Sequence, residues 1–336
     1  SWIEHLPSKQ TVTASNPVAI TKTHQIVGFL LSIKLAIFPI VFCYLAIQFY
    51  KLRNFIFKIL FYCLSLLPLW CLYFISDFLY LVIYKLIGYR TRVVRDNLKN
   101  SFPKKSDIEL ISIEKKFYHH FFDLIIESIK SISISENQMR KRLVFKNIEI
   151  FDKYFDQNKS VVLTVSHYGN WEWGLLGVSL TAKQKMMGVY KTINDSFFND
   201  LMNTTRGRFG ADLVEMKDSL RHIISTKDEC KIIGLLADQS PVKNESNYWT
   251  TFLNQESSVY LGPEKIATKM NYPVLFCKIQ KVRRGRYEFY LEELCTNPEK
   301  TTKGEITSLY LRKSEQTINE NPEFWLWTHR RWKHKK

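Results

Sequence analysis

The first third of this chain is too apolar for ordinary soluble surface, and that limits what the rest can fold into. Gly28 to Phe49 and Phe55 to Gly88 are long hydrophobic runs joined by the short basic linker Lys51–Asn54. About 20 apolar residues cross a hydrocarbon core, so either run could span a bilayer; the alternative is two helices buried in a large core. Lys85, Arg90, Arg92, Arg95 and Lys99 follow the second run, and cations beside a membrane segment mark the cytoplasmic side. If both runs crossed, Lys51 and Arg53 would stand on the wrong side. One span plus one interfacial or re-entrant segment fits better. Neither run is followed by the small-residue pattern of a cleaved signal peptide. The first methionine is Met139, so residue 1 reads as a processed or partial start. The expected organisation is an extension with an apolar segment at 1–50, a membrane-anchoring or interfacial helical region at 51–89, and a catalytic domain at 90–336.

From Arg90 the texture becomes that of an α/β chain. Arg90–Phe102 and Ser106–Ser131 have helical periodicity, as do Ser196–Phe209 and Asp218–Thr226. Ser160–Ser166 is a β-branched run that reads as a buried strand, and Met186–Tyr190, Lys231–Leu236 and Pro273–Lys281 read likewise. Strands alternating with helices predict a mainly parallel central sheet flanked by helices.

Composition trims the function classes. Hydrophobic residues are 46% of 336, and only 12 Gly and 10 Pro occur, which excludes a disordered or collagenous chain. The net charge of +16 calls for an anionic partner: nucleic acid, an anionic membrane or a phosphorylated substrate. The basic residues interleave with apolar helices and form no recognised nucleic-acid motif, which disfavours the first. Cys43, Cys63, Cys71, Cys230, Cys277 and Cys295 form no CxxC pair or zinc spacing, so they read as structural thiols and no metal is expected. The adjacent His119 and His120 lack a third ligand and read as structural.

The sharpest local feature is Ser166-His167-Tyr168-Gly169-Asn170-Trp171-Glu172-Trp173-Gly174, directly after the strongest strand. Five residues rotate about 140° on a helix, so His167 and Glu172 do not share a helical face. They meet if His167 lies in a strand-to-helix turn, given room by Gly169, and Glu172 in the first helical turn. Open α/β sheets bind ligands at the carboxyl ends of their strands. His167 reads as a general base, with Glu172 the carboxylate that orients it; no Ser or Cys nucleophile is needed if a substrate hydroxyl attacks. The bland reading is a capping His and a solvated Glu. A lipase is disfavoured, since no GxSxG elbow occurs.

His-x4-acid after an apolar strand resembles the signature of the glycerolipid and lysophospholipid acyltransferases. Further blocks resemble, in order, the lipid A biosynthesis acyltransferase family. Arg95-Asp-Asn-Leu-Lys-Asn-Ser-Phe-Pro103 is similar to the segment after that family's membrane anchor. Tyr190-Lys191 with Asn194 resembles VYRPxxN, Arg206-Gly-Arg-Phe-Gly210 resembles RxRFG, and Ala237-Asp238-Gln239 resembles ADQ. Pro322 to Lys333 (PEFWLWTHRRWK) resembles PExYLWxHRRFK. The likeness runs from about Phe55 to Lys333. Two features depart from the pattern: the stretch before residue 50 has no counterpart, and Lys191 stands where Arg is common, replacing a bidentate contact with a point charge.

The resemblance implies a glycerolipid-acyltransferase-like fold with N-terminal membrane-anchoring helices. It implies His167 as base and Glu172 as its partner, Arg206 and Lys191 as acceptor-phosphate or charge-steadying contacts, and Asp238 as a support for the site. Lys191 and Arg206 as solvated cations, and Asp238 as a helix cap, are the plainer alternatives. The implied donor is an acyl-acyl carrier protein, with no cofactor, and the acceptor a lipid A precursor at the cytoplasmic face of a bacterial inner membrane. Acceptors of another kind (amino-lipid, glycolipid or lysophospholipid) and a non-catalytic binder of anionic membranes are the rival readings. The C-terminal run from His329 reads as a solvated basic tail or, with Trp325, Trp327 and Trp332, as an anionic-interface anchor. His329 is not the expected base.

Overall fold

The computed structural model describes residues 46, 48–241 and 248–334; the first apolar run, Gly28 to Phe49, lies almost wholly outside them. The chain divides into two units, Ser1–Ile59 and Leu60–Lys336. Helix α1 occupies 48–66. Pro68, whose ring removes an N–H and crowds the preceding turn, separates it from α2 (Leu69–Leu79), which continues as a π-helical stretch, Tyr80–Ile87. The second apolar run is therefore two helices rather than one.

Helices α3 (Thr91–Ser101) and α4 (Asp107–Lys130) follow, α4 started by a reciprocal Ser106–Glu109 capping box. Then come α5 (Glu136–Arg140), β1 (Leu143–Lys146), α6 (Glu149–Asp156), β2 (Val161–Val165) and α7 (Trp171–Thr181). The middle of the chain gives β3 (Lys185–Tyr190), α8 (Ser196–Arg206), β4 (Asp212–Glu215), α9 (Ser219–Ser225) and β5 (Lys231–Leu236). The last part gives β6 (Trp249–Phe252), β7 (Gln255–Ser258), α10 (Gly262–Met270), β8 (Val274–Arg283), β9 (Arg286–Cys295) and α11 (Glu305–Glu320).

Among the described residues seven strands form one sheet in the order β1-β9-β8-β2-β5-β3-β4, and every pairing in it is parallel except the β8–β9 hairpin. Val161 and Leu163 belong to one apolar core and Val162 to the other, as the period of two demands of a strand covered on both faces. Helix α7 packs near β1 and β3, whereas α10 and α11 pack near β2, β8 and β9. The sheet's central neighbours are β2 and β5, with Val165 in register with Leu236. His167 and Asp238 each lie two residues past those positions, so parallel pairing in step brings their side chains out next to each other.

Among the described residues, one helical stretch, Leu69–Ile87, is long and apolar enough by length and composition to cross a membrane. Its two faces differ. Leu72 and Ser76 are buried, and Tyr73, Ser76 and Tyr84 donate to the α4 carboxylates of Glu127, Asp123 and Glu114 at 2.8, 2.9 and 3.0 Å. Trp70, Phe74, Phe78 and Leu81, spaced as one helical stripe, are exposed.

The C-terminal block is largely packed into the fold, although its Arg330 and Lys333 are exposed and residues 335–336 lie outside the described residues. Trp325, Trp327 and Arg331 are buried in the core. The segment lies along the turn after β2: Tyr168 bridges Trp325, Gly169 N–H donates to Phe324 O at 2.9 Å, and Leu326 N–H to His167 O at 3.0 Å. Backbone pairing here satisfies groups that a buried turn would otherwise leave without partners.

Candidate active site

The turn between β2 and α7 carries the site. Gly169 has φ +61°, and a Cβ there would sit 2.6 Å from Ile279 Cγ2, so only glycine passes this point without displacing β8. Asn170 caps α7, its Oδ1 accepting from Trp173 N–H at 2.9 Å. Glu172 falls in the first helical turn.

His167 is held by Asp238. Asp238 Oδ1 is 2.7 Å from His167 Nδ1, and Oδ2 accepts from the His167 backbone N–H at 2.9 Å and from Trp325 Nε1 at 2.7 Å. Asp238 is fully buried, which by itself would push its carboxyl up, but His167 and these hydrogen bonds hold it below its ordinary value. An ionised carboxylate only accepts, so Nδ1 carries the proton and Nε2 keeps a lone pair. That is the tautomer a general base needs.

The oriented pair is thus His167–Asp238, not His167–Glu172. Glu172 is clamped by Arg206, with Nε to Oε2 at 2.8 Å and Nη2 to Oε1 at 2.6 Å, and Trp171 Nε1 donates to Oε1 at 3.2 Å. The physical reason is register: adjacent strand ends deliver His167 and Asp238 side by side, while α7 turns Glu172 toward the C-terminus of α8. Arg206 is consequently not a free phosphate-binding cation. Burial alone would lower its pKa, and the Glu172 contacts more than reverse this.

A cavity of about 410 Å³ opens at this turn, within the range usual for small-ligand sites. His167, Glu172, Lys191 and Arg206 all line it, with Lys191 exposed. Its walls are mostly apolar, with Leu163, Leu175, Val178, Met186 and Phe289 among them. Gly234 keeps one wall thin, since a Cβ there would lie 2.4 Å from Met186 Cε.

Ser166 and Cys277, both near this turn, are not set up as nucleophiles. Ser166 Oγ turns to Ser314 Oγ at 2.8 Å in a buried network. Cys277 lines the cavity, but burial pushes its thiol up to about 12, so it stays protonated at neutral pH.

Trp325 and His329 enter the site although the sequence pattern assigns them no part in it. His329 lines the cavity and its Nε2 accepts from Ser240 N–H at 3.3 Å; burial, followed by the neighbouring His167, lowers its pKa to about 4. The signal present in the sequence is the C-terminal PEFWLWTHRRWK block, whose density of aromatic and basic groups reads as surface rather than core.

A histidine with a fixed tautomer, opening onto an apolar cavity at the carboxyl ends of parallel strands, is an arrangement compatible with passing an acyl group to a hydroxyl. Comparison with known proteins narrows the class. Residues 45–334 match the family model of the bacterial lipid A biosynthesis acyltransferases, and the chain belongs to that family. It is 25% identical over 254 residues to the lipid A biosynthesis palmitoleoyltransferase of Escherichia coli strain K12, covering 73% of this chain and 79% of that protein. A lipid A biosynthesis acyltransferase of Shigella flexneri matches with the same identity and coverage. A second Shigella flexneri protein, lipid A biosynthesis acyltransferase 2, is 24% identical over 131 residues, 39% of this chain and 41% of that protein.

Proposed function

We propose that this enzyme transfers a fatty acyl group from an acyl-acyl carrier protein to a hydroxyl of a lipid A precursor. The observation that carries the reading is the Asp238–His167 pair, with Nε2 unbonded among the described residues, on a largely apolar cavity. His167 Nε2 takes the proton of the acceptor hydroxyl as its oxygen attacks the thioester carbonyl. Asp238 steadies the imidazolium that forms. The tetrahedral oxyanion collapses, the C–S bond breaks, and the carrier's thiolate leaves, taking the proton from His167.

Gly169 N–H is committed to Phe324 O and is no donor for the oxyanion. The N–H groups of Trp171 and Glu172 remain; at the first turn of α7 no i−4 carbonyl exists for them. Asp238, expected as a support for the site, has that part here through its bonds to His167. Glu172 and Arg206 act as one unit, a clamped wall of the cavity. Lys191, with the exposed Lys333 that also lines the cavity, suits phosphate on the acceptor or on the carrier's prosthetic arm.

The setting we infer is the cytoplasmic face of a bacterial inner membrane. The exposed stripe Trp70, Phe74, Phe78 and Leu81 would enter the lipid interface while the inner face stays bonded to α4. A helix with one face bonded to α4 and an apolar stripe on the other suits lying along a bilayer surface.

The test is acyl transfer in detergent with wild-type enzyme, comparing acyl-acyl carrier protein with acyl-coenzyme A as donors. Lipid A precursor is compared with lysophospholipid as acceptor. Transfer from the carrier protein to the lipid A precursor is the expected result. Transfer only to lysophospholipid would replace the acceptor, and no transfer to either would refute the reaction.

A further inference from the structure

The proposed chemistry leaves a second polar cluster unused, and it touches the catalytic turn from the other end. Glu127 of α4 is fully buried. Its Oε1 accepts from the Tyr73 hydroxyl at 2.8 Å and from Gly285 N–H at 3.1 Å. Its Oε2 accepts from the Tyr287 hydroxyl at 2.7 Å and from Asn170 Nδ2 at 2.6 Å. The Glu127 carbonyl also takes Trp173 Nε1 at 3.1 Å. A buried carboxylate is costly unless its lone pairs are met, and here four donors meet them.

Two turns earlier on α4, the buried His120 makes a matching contact. Its Nε2 lies 3.2 Å from Gly169 O, and a carbonyl only accepts, so Nε2 bears the proton. Nδ1 is then the acceptor for Lys281 Nζ at 3.2 Å. Burial, then Lys281, drives the His120 pKa well down and keeps the ring neutral in this role. Helix α4 thus grips consecutive residues, Gly169 and Asn170, of the turn that starts at His167.

Asn170 is the joint. One end of its amide caps α7 and the other donates to Glu127, so the amide cannot rotate without losing both bonds. We propose that Glu127 is a positioning residue: by holding Asn170 it fixes the turn that aims His167 into the cavity, and through Tyr73 it ties that turn to the helix with the exposed apolar stripe. The proposal rests on the reading of His167 as the base.

The polarity of the joint can be reversed. E127Q sets an amide NH2 either against the NH2 of Asn170 or against the N–H of Gly285, so one fixed donor loses its acceptor. N170D sets carboxylate against carboxylate but keeps an oxygen for the Trp173 cap. In E127Q/N170D the new carboxylate accepts from the new amide, and Tyr287 can turn its hydroxyl to suit. Two readouts are taken on the full chain in detergent. One is kcat and KM for the acyl-acyl carrier protein; the other is the rate at which diethyl pyrocarbonate labels His167, resolved by mass spectrometry and independent of any substrate.

Each single variant is expected to lose kcat by about tenfold or more with donor KM within about twofold. His167 labelling should shift by about threefold in each, and the double variant should return both readouts close to wild type. Wild-type kcat and labelling in the singles, or a double variant no better than the worse single, would overturn the proposal. If E127Q does not fold, rescue of N170D by the double variant carries the test alone, and a double variant that does not fold counts against it. Labelling that follows the cycle while even wild type transfers no acyl group would uphold the positioning role and refute the reaction instead.

Discussion

Asp238 and Glu127 are both fully buried carboxylates in contact with the same turn, yet they are held in opposite ways. Asp238 meets an ionisable ring, and His167 with its hydrogen bonds keeps the carboxyl ionised below its ordinary range despite burial. Glu127 meets hydroxyls, an amide and a backbone N–H; burial dominates and pushes its carboxyl up, against the pull of Lys281. The difference teaches where chemistry can happen. Asp238 acts through a partner that has a lone pair to spare and can share a positive charge. Glu127 has only neutral hydrogen-bond donors, and such a cluster can place atoms but has no proton to move.

The comparison breaks most severely at His167, the proposed base. His167→Ala should lower kcat by about 10³-fold or more with the fold retained; near-normal turnover in a steady-state transfer assay would remove His167 from the chemistry. Next in size is the contrast in pH. A carboxyl lowered in the folded state contributes stability that is present above its ordinary value of 3.8 and lost as pH falls through the folded value. One raised in the folded state contributes stability below its ordinary value of 4.5 and loses it as pH rises through the folded value. Melting temperatures from pH 3 to pH 8 should therefore show Asp238→Asn flattening the acid limb and Glu127→Gln flattening the decline above about pH 4.5. The same limb flattened by both variants would erase the distinction. The smallest effect is expected from Trp325→Phe, which removes one of three donors to Asp238. It should cost roughly threefold to tenfold in kcat, about 1 kcal/mol, with no change in donor KM.

Much of the frame is legible in the amino-acid sequence. The strands at Lys231–Leu236 and Ser160–Ser166 are β-branched apolar runs that only a doubly covered sheet accommodates, and they form its centre. The turn after β2 is readable because Gly169 and an acid five residues after His167 fit a strand-to-helix corner. Assigning Glu172 to His167 fails because sequence proximity is a poor guide where neighbouring strands are distant in sequence. His167 and Asp238 are 71 residues apart, and only the β2–β5 register makes them neighbours. The C-terminal block misleads for a related reason. Composition sees indoles and cations, but not that their backbone completes the turn at Tyr168 and Gly169. Pro68 inside the second apolar run is a visible break, but its consequence, two helices with a polar-pinned inner face, depends on the α4 carboxylates that the fold brings alongside.

The central claim is that Asp238, and not the nearer-in-sequence Glu172, orients the base. Its most direct test sets Asp238→Asn beside Glu172→Gln in the same transfer assay, with kcat measured at saturating donor and acceptor. Asp238→Asn should fall by about 10²-fold or more because His167 loses its tautomer, while Glu172→Gln should fall by roughly tenfold through the loosened Arg206 clamp. A larger loss in Glu172→Gln than in Asp238→Asn would contradict the assignment and return the orienting role to Glu172.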